Sequence, residues 1–166
     1  MILKRFLPVI MVLGFGFIAA ILLILQNQAS IAENEWAVFS EIEEDFETVT
    51  GFLQSSIEEE GLSIANRGNV SDMLARTKDA VGGSELLYKR AEIFEFCSAK
   101  LGHKIFAINP KNLAACPLTI VVYELKTNPG IVYIGYRRAP SMISGADKIF
   151  SEVDALLARI VKGAIE

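Results

Sequence analysis

The 166-residue sequence has one histidine, two cysteines and one tryptophan, and each shortage removes a class of chemistry. A single imidazole cannot build a multi-histidine metal site or a relay of histidines. Cys97 and Cys116, with 18 residues between them, form neither a CxxC redox motif nor a CxxCH haem-attachment motif nor a zinc-ligand cluster. Two are also too few for a disulfide-dense miniprotein. The chain has no Gly-rich phosphate loop, no GxSxG elbow and no HExxH pair. Gly82-Gly83 suits a helix end, and no two carboxylates occupy positions that imply a buried general acid and base. The sequence therefore gives no reason to expect a cofactor, a metal or an enzyme.

Charge is missing from one stretch altogether. Phe6 to Leu25 contains 20 residues without a charged side chain, in a chain that is 52% hydrophobic with a mean hydropathy of +0.38. Twenty helical residues span about 30 Å, the thickness of a bilayer's hydrocarbon core. Lys4 and Arg5 precede the run, whereas no acid occurs before Glu33. The positive-inside rule then puts residues 1–5 in the cytoplasm, a transmembrane helix at 6–26, a polar linker at 27–35 and a domain at 36–166 outside, in the periplasm of a cell with an inner membrane. A cleaved signal peptide is the alternative, because Ser30-Ile31-Ala32 supplies small residues for a cut after Ala32. The run exceeds the 7–15 residues of a signal core, which favours an uncleaved anchor. Gly16 and Ala20 make a small-xxx-small pair on which a second membrane helix could pack.

Beyond the run, 14 Lys and Arg face 20 Asp and Glu, a net charge of −6. Nucleic acid is a poor partner for such a surface. Glu41, Glu43, Glu44, Asp45 and Glu47 cluster just past the linker, suited either to solvent or to steering a basic partner.

Periodicity gives the order of elements. Trp36–Ile42 alternates, with Trp36, Val38, Ser40 and Ile42 on one side, as in a strand. Asp45 caps a helix bearing Phe46, Val49, Leu53 and Ile57, closed at Gly61; Glu58, Glu59 and Glu60 sit at the unfavourable end of its dipole. Leu62–Ala65 reads as a short strand. Asn69 starts a helix with Val70, Met73, Leu74, Thr77 and Val81 inward. Glu85–Phe96 is extended, and Cys97–Asn109 is a helix with Leu101, Ile105 and Ile108 on one face. Leu118–Leu125 is a strand, Asn128-Pro129-Gly130 a tight turn and Ile131–Tyr136 the hairpin partner. A helix from about Gly145 to Lys162, begun by Ser144 and Asp147, completes the chain. The expected fold is α+β, in the order β-α-β-α-β-α-β-β-α, with helices on a mixed sheet.

Several segments of the external domain resemble the family called domain of unknown function 302. Glu59-Glu60-Gly61-Leu62 is similar to the start of its second strand, Phe94-Glu95-Phe96-Cys97-Ser98 to its strand running into a cysteine, and His103 to a histidine in the helix that follows. Ala115-Cys116-Pro117 leading into Val121-Val122-Tyr123-Glu124 is similar to its step through adjacent proline and cysteine, in either order, into a strand. Two departures stand out: Ser98-Ala99 replaces the family's Asn-Pro, and the order Cys116-Pro117 reverses its Pro-Cys. The resemblance spans roughly Trp36 to Ile165 and implies the fold. It leaves the activity open, with a hint of sulfur-handling contexts.

The resemblance places Cys97 at a helix start and Cys116 beside it. Three readings follow: a structural disulfide, two buried thiols, or a redox or sulfur-carrying pair in which the helix terminus favours the Cys97 thiolate. His103 is about 120° around the helix from Cys97, awkward for a dyad on one straight helix. It stands as a candidate ligand-binding residue or as a surface histidine. The functional expectation is a membrane-anchored accessory or binding protein with the lipid bilayer and a larger membrane complex as partners. The alternative is a tethered thiol or sulfur-handling protein using Cys97 and Cys116.

Overall fold

The computed structural model describes residues 36–138 and 147–166. Strand β1 (Ala37–Glu43) leads to helix α1 (Phe46–Glu59), strand β2 (Ile64–Asn69), helix α2 (Val70–Val81) and strand β3 (Tyr88–Phe96). Helix α3 (Ala99–Ile108), a 3₁₀ turn (Pro110–Ala115), strands β4 (Leu118–Leu125) and β5 (Asn128–Arg137), and helix α4 (Asp147–Ile165) follow. The expected order and the α+β class hold. The expected transmembrane helix at 6–26, its Gly16/Ala20 pair and the cap at Ser144 lie outside the described residues. Among the described residues no helix is long and apolar enough to cross a membrane.

The sheet order is β1-β5-β4-β3-β2. Every pairing is antiparallel, which corrects the expectation of a mixed sheet. The reason is connectivity. β4 and β5 form a hairpin, and the helical excursions α2 and α3 return the chain beside the strand it has just left, reversed in direction. β1 reaches β5 only as an antiparallel edge.

Local chemistry places α1 well. Asp45 accepts hydrogen bonds from the Glu47 and Thr48 N–H groups, satisfying donors that the first turn leaves open. At the other end Gly61 adopts φ +73°, which costs glycine nothing. Its N–H donates to Glu58 O and the Leu62 N–H donates to Ile57 O, the paired bonds of a Schellman closure. Arg159 donates to both oxygens of the Glu60 carboxylate at 2.7 and 3.0 Å, offsetting the unfavourable charge at this terminus. Phe46, Val49, Leu53 and Ile57 are all buried.

The core lies between one sheet face and the helices α1, α3 and α4. It is filled by Phe94, Phe96, Ile120, Val122, Val132 and Ile134 from the sheet and by Val153, Leu157 and Ile160 from α4. The Ser56 hydroxyl donates to Ile160 O at 3.0 Å across the α1–α4 crossing.

Several boundaries and faces differ from expectation. β2 runs Ile64–Asn69 rather than Leu62–Ala65, because the α1 closure consumes Leu62 and the pairing with β3 begins at Ile64↔Phe96. β3 starts at Tyr88, not Glu85. Trp36 is exposed, so the inward side of β1 is Val38, Ser40 and Ile42 alone. In α2, Met73 and Val81 face solvent. This helix is tied to β3 through its first turn, where the Ala91 N–H donates to Ser71 Oγ, and of the five expected inward residues Val70, Leu74 and Thr77 are half-buried. Ile108 is exposed on the last turn of α3.

The β4–β5 turn is Lys126-Thr127, one step before the expected Asn128-Pro129-Gly130. The register shifts between Glu124, opposite Val132, and Leu125, opposite Asn128, so Pro129-Gly130 sits in an irregularity of β5. Glu124 secures it. This buried carboxylate accepts from Lys89 Nζ at 2.8 Å and from the Gly130 N–H at 2.8 Å, with Arg90 Nε 4.0 Å away. Burial alone would raise its pKa; the Lys89 and Gly130 hydrogen bonds and the two cations outweigh that and hold it below the ordinary carboxylate range.

A folded-state pKa below the unfolded one contributes stability above the unfolded value and loses it as pH falls through the folded value. Urea midpoints of the wild type are therefore expected to fall as pH drops below about 4.3. Glu124→Gln should flatten that decline and cost about 1 kcal/mol at neutral pH. Parallel acid limbs in the two proteins would refute the assignment.

Candidate functional site

Cys97 leaves β3 one residue before Ser98, the N-cap of α3, whose Oγ accepts from the Leu101 N–H. The 3₁₀ turn then folds back under the helix. The buried Asn112 side chain donates to Ile105 O at 3.0 Å, and the Cys116 N–H donates to Leu113 O at 3.0 Å. These bonds set Cys116 opposite Cys97, with Cα atoms 6.2 Å apart and a disulfide joining them. Of the three readings open for these cysteines, the two free thiols are excluded in this state. Cys97 is the exposed partner and Cys116 is half-buried.

The disulfide forms one wall of a pocket of about 220 Å³. Small residues of α3 and the turn, Ala99, Gly102 and Ala115, leave the space; Leu101, Ile105, Phe106, Leu118, Phe150 and Val153 line it with carbon. His103 and Ser98 also border the pocket, and His103 is otherwise exposed. The structure thus gathers all three chemistry-bearing residues singled out beyond residue 35, Cys97, Cys116 and His103, around one cavity. The 120° objection to a Cys97–His103 relation on one helix loses its force because Cys97 precedes the helix.

Sequence reasoning missed the rest of the lining. Phe106 follows the inward Ile105, and an aromatic beside a helical stripe gives no sign of a cavity. Phe150 and Val153 read as ordinary core. The spacing that creates the pocket, small residues at 99, 102 and 115, becomes meaningful only when the disulfide folds the turn against α3.

A second feature lies on the sheet face opposite the core. Tyr123 stacks on Tyr133, with ring centroids 4.9 Å apart, and meets Phe39 and Tyr88 edge-on at 6.0 and 5.5 Å. Gly135 makes room for Phe39: a Cβ there would lie 2.6 Å from Phe39 Cε1 and from Val38 O. Phe39 remains 42% exposed. Glu41 and Glu43 continue the same side of β1, opposite Tyr133 and Ile131. Burial and the neighbouring Tyr88 and Tyr133 hydroxyls push the Tyr123 phenol up.

Residues 28–164 match the model of a family described as "Domain of unknown function DUF302". Among solved structures, the chain is similar to the "uncharacterized conserved protein DUF302" of Bacillus stearothermophilus, with a TM-score of 0.64 and 18% identity. That match covers 79% of this chain and 99% of the other, and at that identity it shows the fold alone. No curated protein matches.

Proposed function

Given that the chain belongs to the DUF302 family, we propose that it is an accessory subunit that acts by binding. In this reading residues 6–26 anchor it in the inner membrane, and the domain from residue 36 onward docks outside onto a larger membrane protein. The observation that carries the reading is the aromatic sheet face. Tyrosine and phenylalanine bury large area at low entropic cost and concentrate in interface centres. Phe39 and Tyr133 supply that centre here, and Glu41 and Glu43 supply an acidic rim. The matching partner presents an apolar patch edged by Lys or Arg.

The test is co-purification of the full chain through a carboxy-terminal tag after mild detergent extraction. A stoichiometric membrane-protein partner is expected, with recovery reduced at least tenfold by Phe39→Ser combined with Tyr133→Ser. A chain that always runs as a lone monomer would sink the proposal.

A second reading is favoured by one observation, the exposure of Cys97 in the disulfide. In it, a partner dithiol attacks the bond, passes two electrons to it, and leaves two thiols here and a disulfide on the partner. Alkylation across pH, before and after dithiothreitol, tests this. Cysteines inert under both conditions would remove it.

A further inference from the structure

We infer that the pocket behind the Cys97–Cys116 disulfide is a binding site for a small, uncharged aromatic molecule of about two fused rings bearing one hydroxyl or carbonyl oxygen. The inference is independent of the partner reading, since it uses the opposite side of the sheet and needs no second protein.

Size comes first. An apolar cavity of about 150 Å³ in a protein interior stays dry and takes benzene. The roughly 220 Å³ here takes a larger ring system and falls short of the 300–1,000 Å³ typical of drug-sized ligands. Chemistry comes next. Leu101, Ile105, Phe106, Leu118, Phe150 and Val153 offer dispersion contacts and no charge, so a charged ligand would lose its hydration without compensation. The flexible-chain alternative suits the site less well, because the Phe106 and Phe150 rings and the rigid disulfide favour a flat, stiff occupant that loses little rotational freedom on binding.

Polarity fixes orientation. The bordering side chains able to donate or accept are His103 and Ser98; Ser98 Oγ accepts from the Leu101 N–H and keeps its O–H to donate. His103 is exposed, so a ligand oxygen at its imidazole stays partly in water while the rings enter the cavity. A polar edge on an otherwise carbon-lined space defines the ligand class: apolar body, one hydrogen-bonding head.

The probes are 2-naphthol, which has that head, and naphthalene, which lacks it. The full chain, reconstituted in phosphatidylcholine nanodiscs with methyl-labelled Leu, Ile and Val, is titrated with each probe. The expected result is saturable shifts of the Leu101, Ile105, Leu118 and Val153 methyls, with Val49 and Val132 unmoved. Ala115→Leu fills the cavity and should weaken both probes at least tenfold. Ala99→Leu, at an exposed helical position that tolerates leucine, is the second filling variant if the first disturbs the fold. His103→Ala should weaken 2-naphthol about threefold and leave naphthalene unchanged. Shifts that rise linearly with probe, or that persist undiminished in a folded filling variant, would overturn the site. Equal loss of both probes in His103→Ala would overturn the assigned orientation and with it the ligand class.

Discussion

Replacing Cys97 and Cys116 together by serine is expected to lower the unfolding free energy by about 3 kcal/mol and the melting temperature by on the order of 10 °C. The bond joins residues 19 apart in sequence, and closing a loop of about 20 residues removes that much conformational freedom from the unfolded chain in the chain-entropy account. The enclosed segment is α3 and the 3₁₀ turn, which the rest of the domain holds through few buried groups. Leu101 and Ile105 are the buried apolar side chains of α3, and Asn112 is the one side chain of the turn buried among the described residues. A large fraction of what fixes this segment is therefore covalent. Wild-type protein in dithiothreitol should unfold in urea along the curve of the double-serine variant, and both should keep the sheet's circular-dichroism signature. Coincident midpoints with and without reductant would show that native contacts alone hold the segment.

The same segment shows how far sequence carries. A proline-bounded helix, a loop and a strand were legible from Leu101, Ile105, Pro110 and the apolar run of β4. The approach of the two cysteines came from the family resemblance, since residues 19 apart carry no periodic relation. The pocket was not legible at all. Concavity depends on what is small at 99, 102 and 115 relative to what is large at 106 and 150, and those positions meet only in three dimensions.

Helix faces were read correctly where a helix has one large neighbour. α1 packs against both the sheet and α4, and every expected inward residue is buried. α2 has β3 alone, beyond the end of β2, so its apolar stripe is wider than the surface available to cover it, and Met73 and Val81 are left outside. The mixed-sheet expectation failed for a related reason. Strand direction is a property of connections rather than of strands, and alternation in β2 or β3 is identical in either orientation. Strand faces were ambiguous where both sides are apolar. In β4, Ile120 and Val122 enter the core while Val121 and Tyr123 form the aromatic face, and Val121-Val122 offers no polarity contrast by which to choose.

That ambiguity is sharpest in β3, where the second large effect is expected. Glu92, Phe94 and Phe96 share the core side with Val122, Ile120 and Leu118 opposite them, although Glu92 is polar and the outward Ile93 is not. Phe94 is nonetheless fully buried. Phe94→Ala is expected to cost about 3–5 kcal/mol, from lost transfer free energy and the cavity left behind, a large share of the 5–15 kcal/mol typical of a domain. Phe94→Leu should recover more than half of the loss by refilling most of the volume. Part of the cost is not packing. The Arg67 guanidinium lies 4.8 Å from the Phe94 ring centroid and is held there by Glu92 at 2.6 Å, a cation–π contact worth about 0.5–1 kcal/mol at a partly exposed site. A double-mutant cycle of Phe94→Leu with Arg67→Met isolates that contribution. Coupling near zero would mean that Arg67 is positioned by Glu92 alone, with the ring as a neighbour. Coupling in the expected range would mean that edge strand β2, whose Arg67 and Asn66 ion-pair and hydrogen-bond with Glu92 and Glu95, is docked by side chains as much as by its backbone ladder.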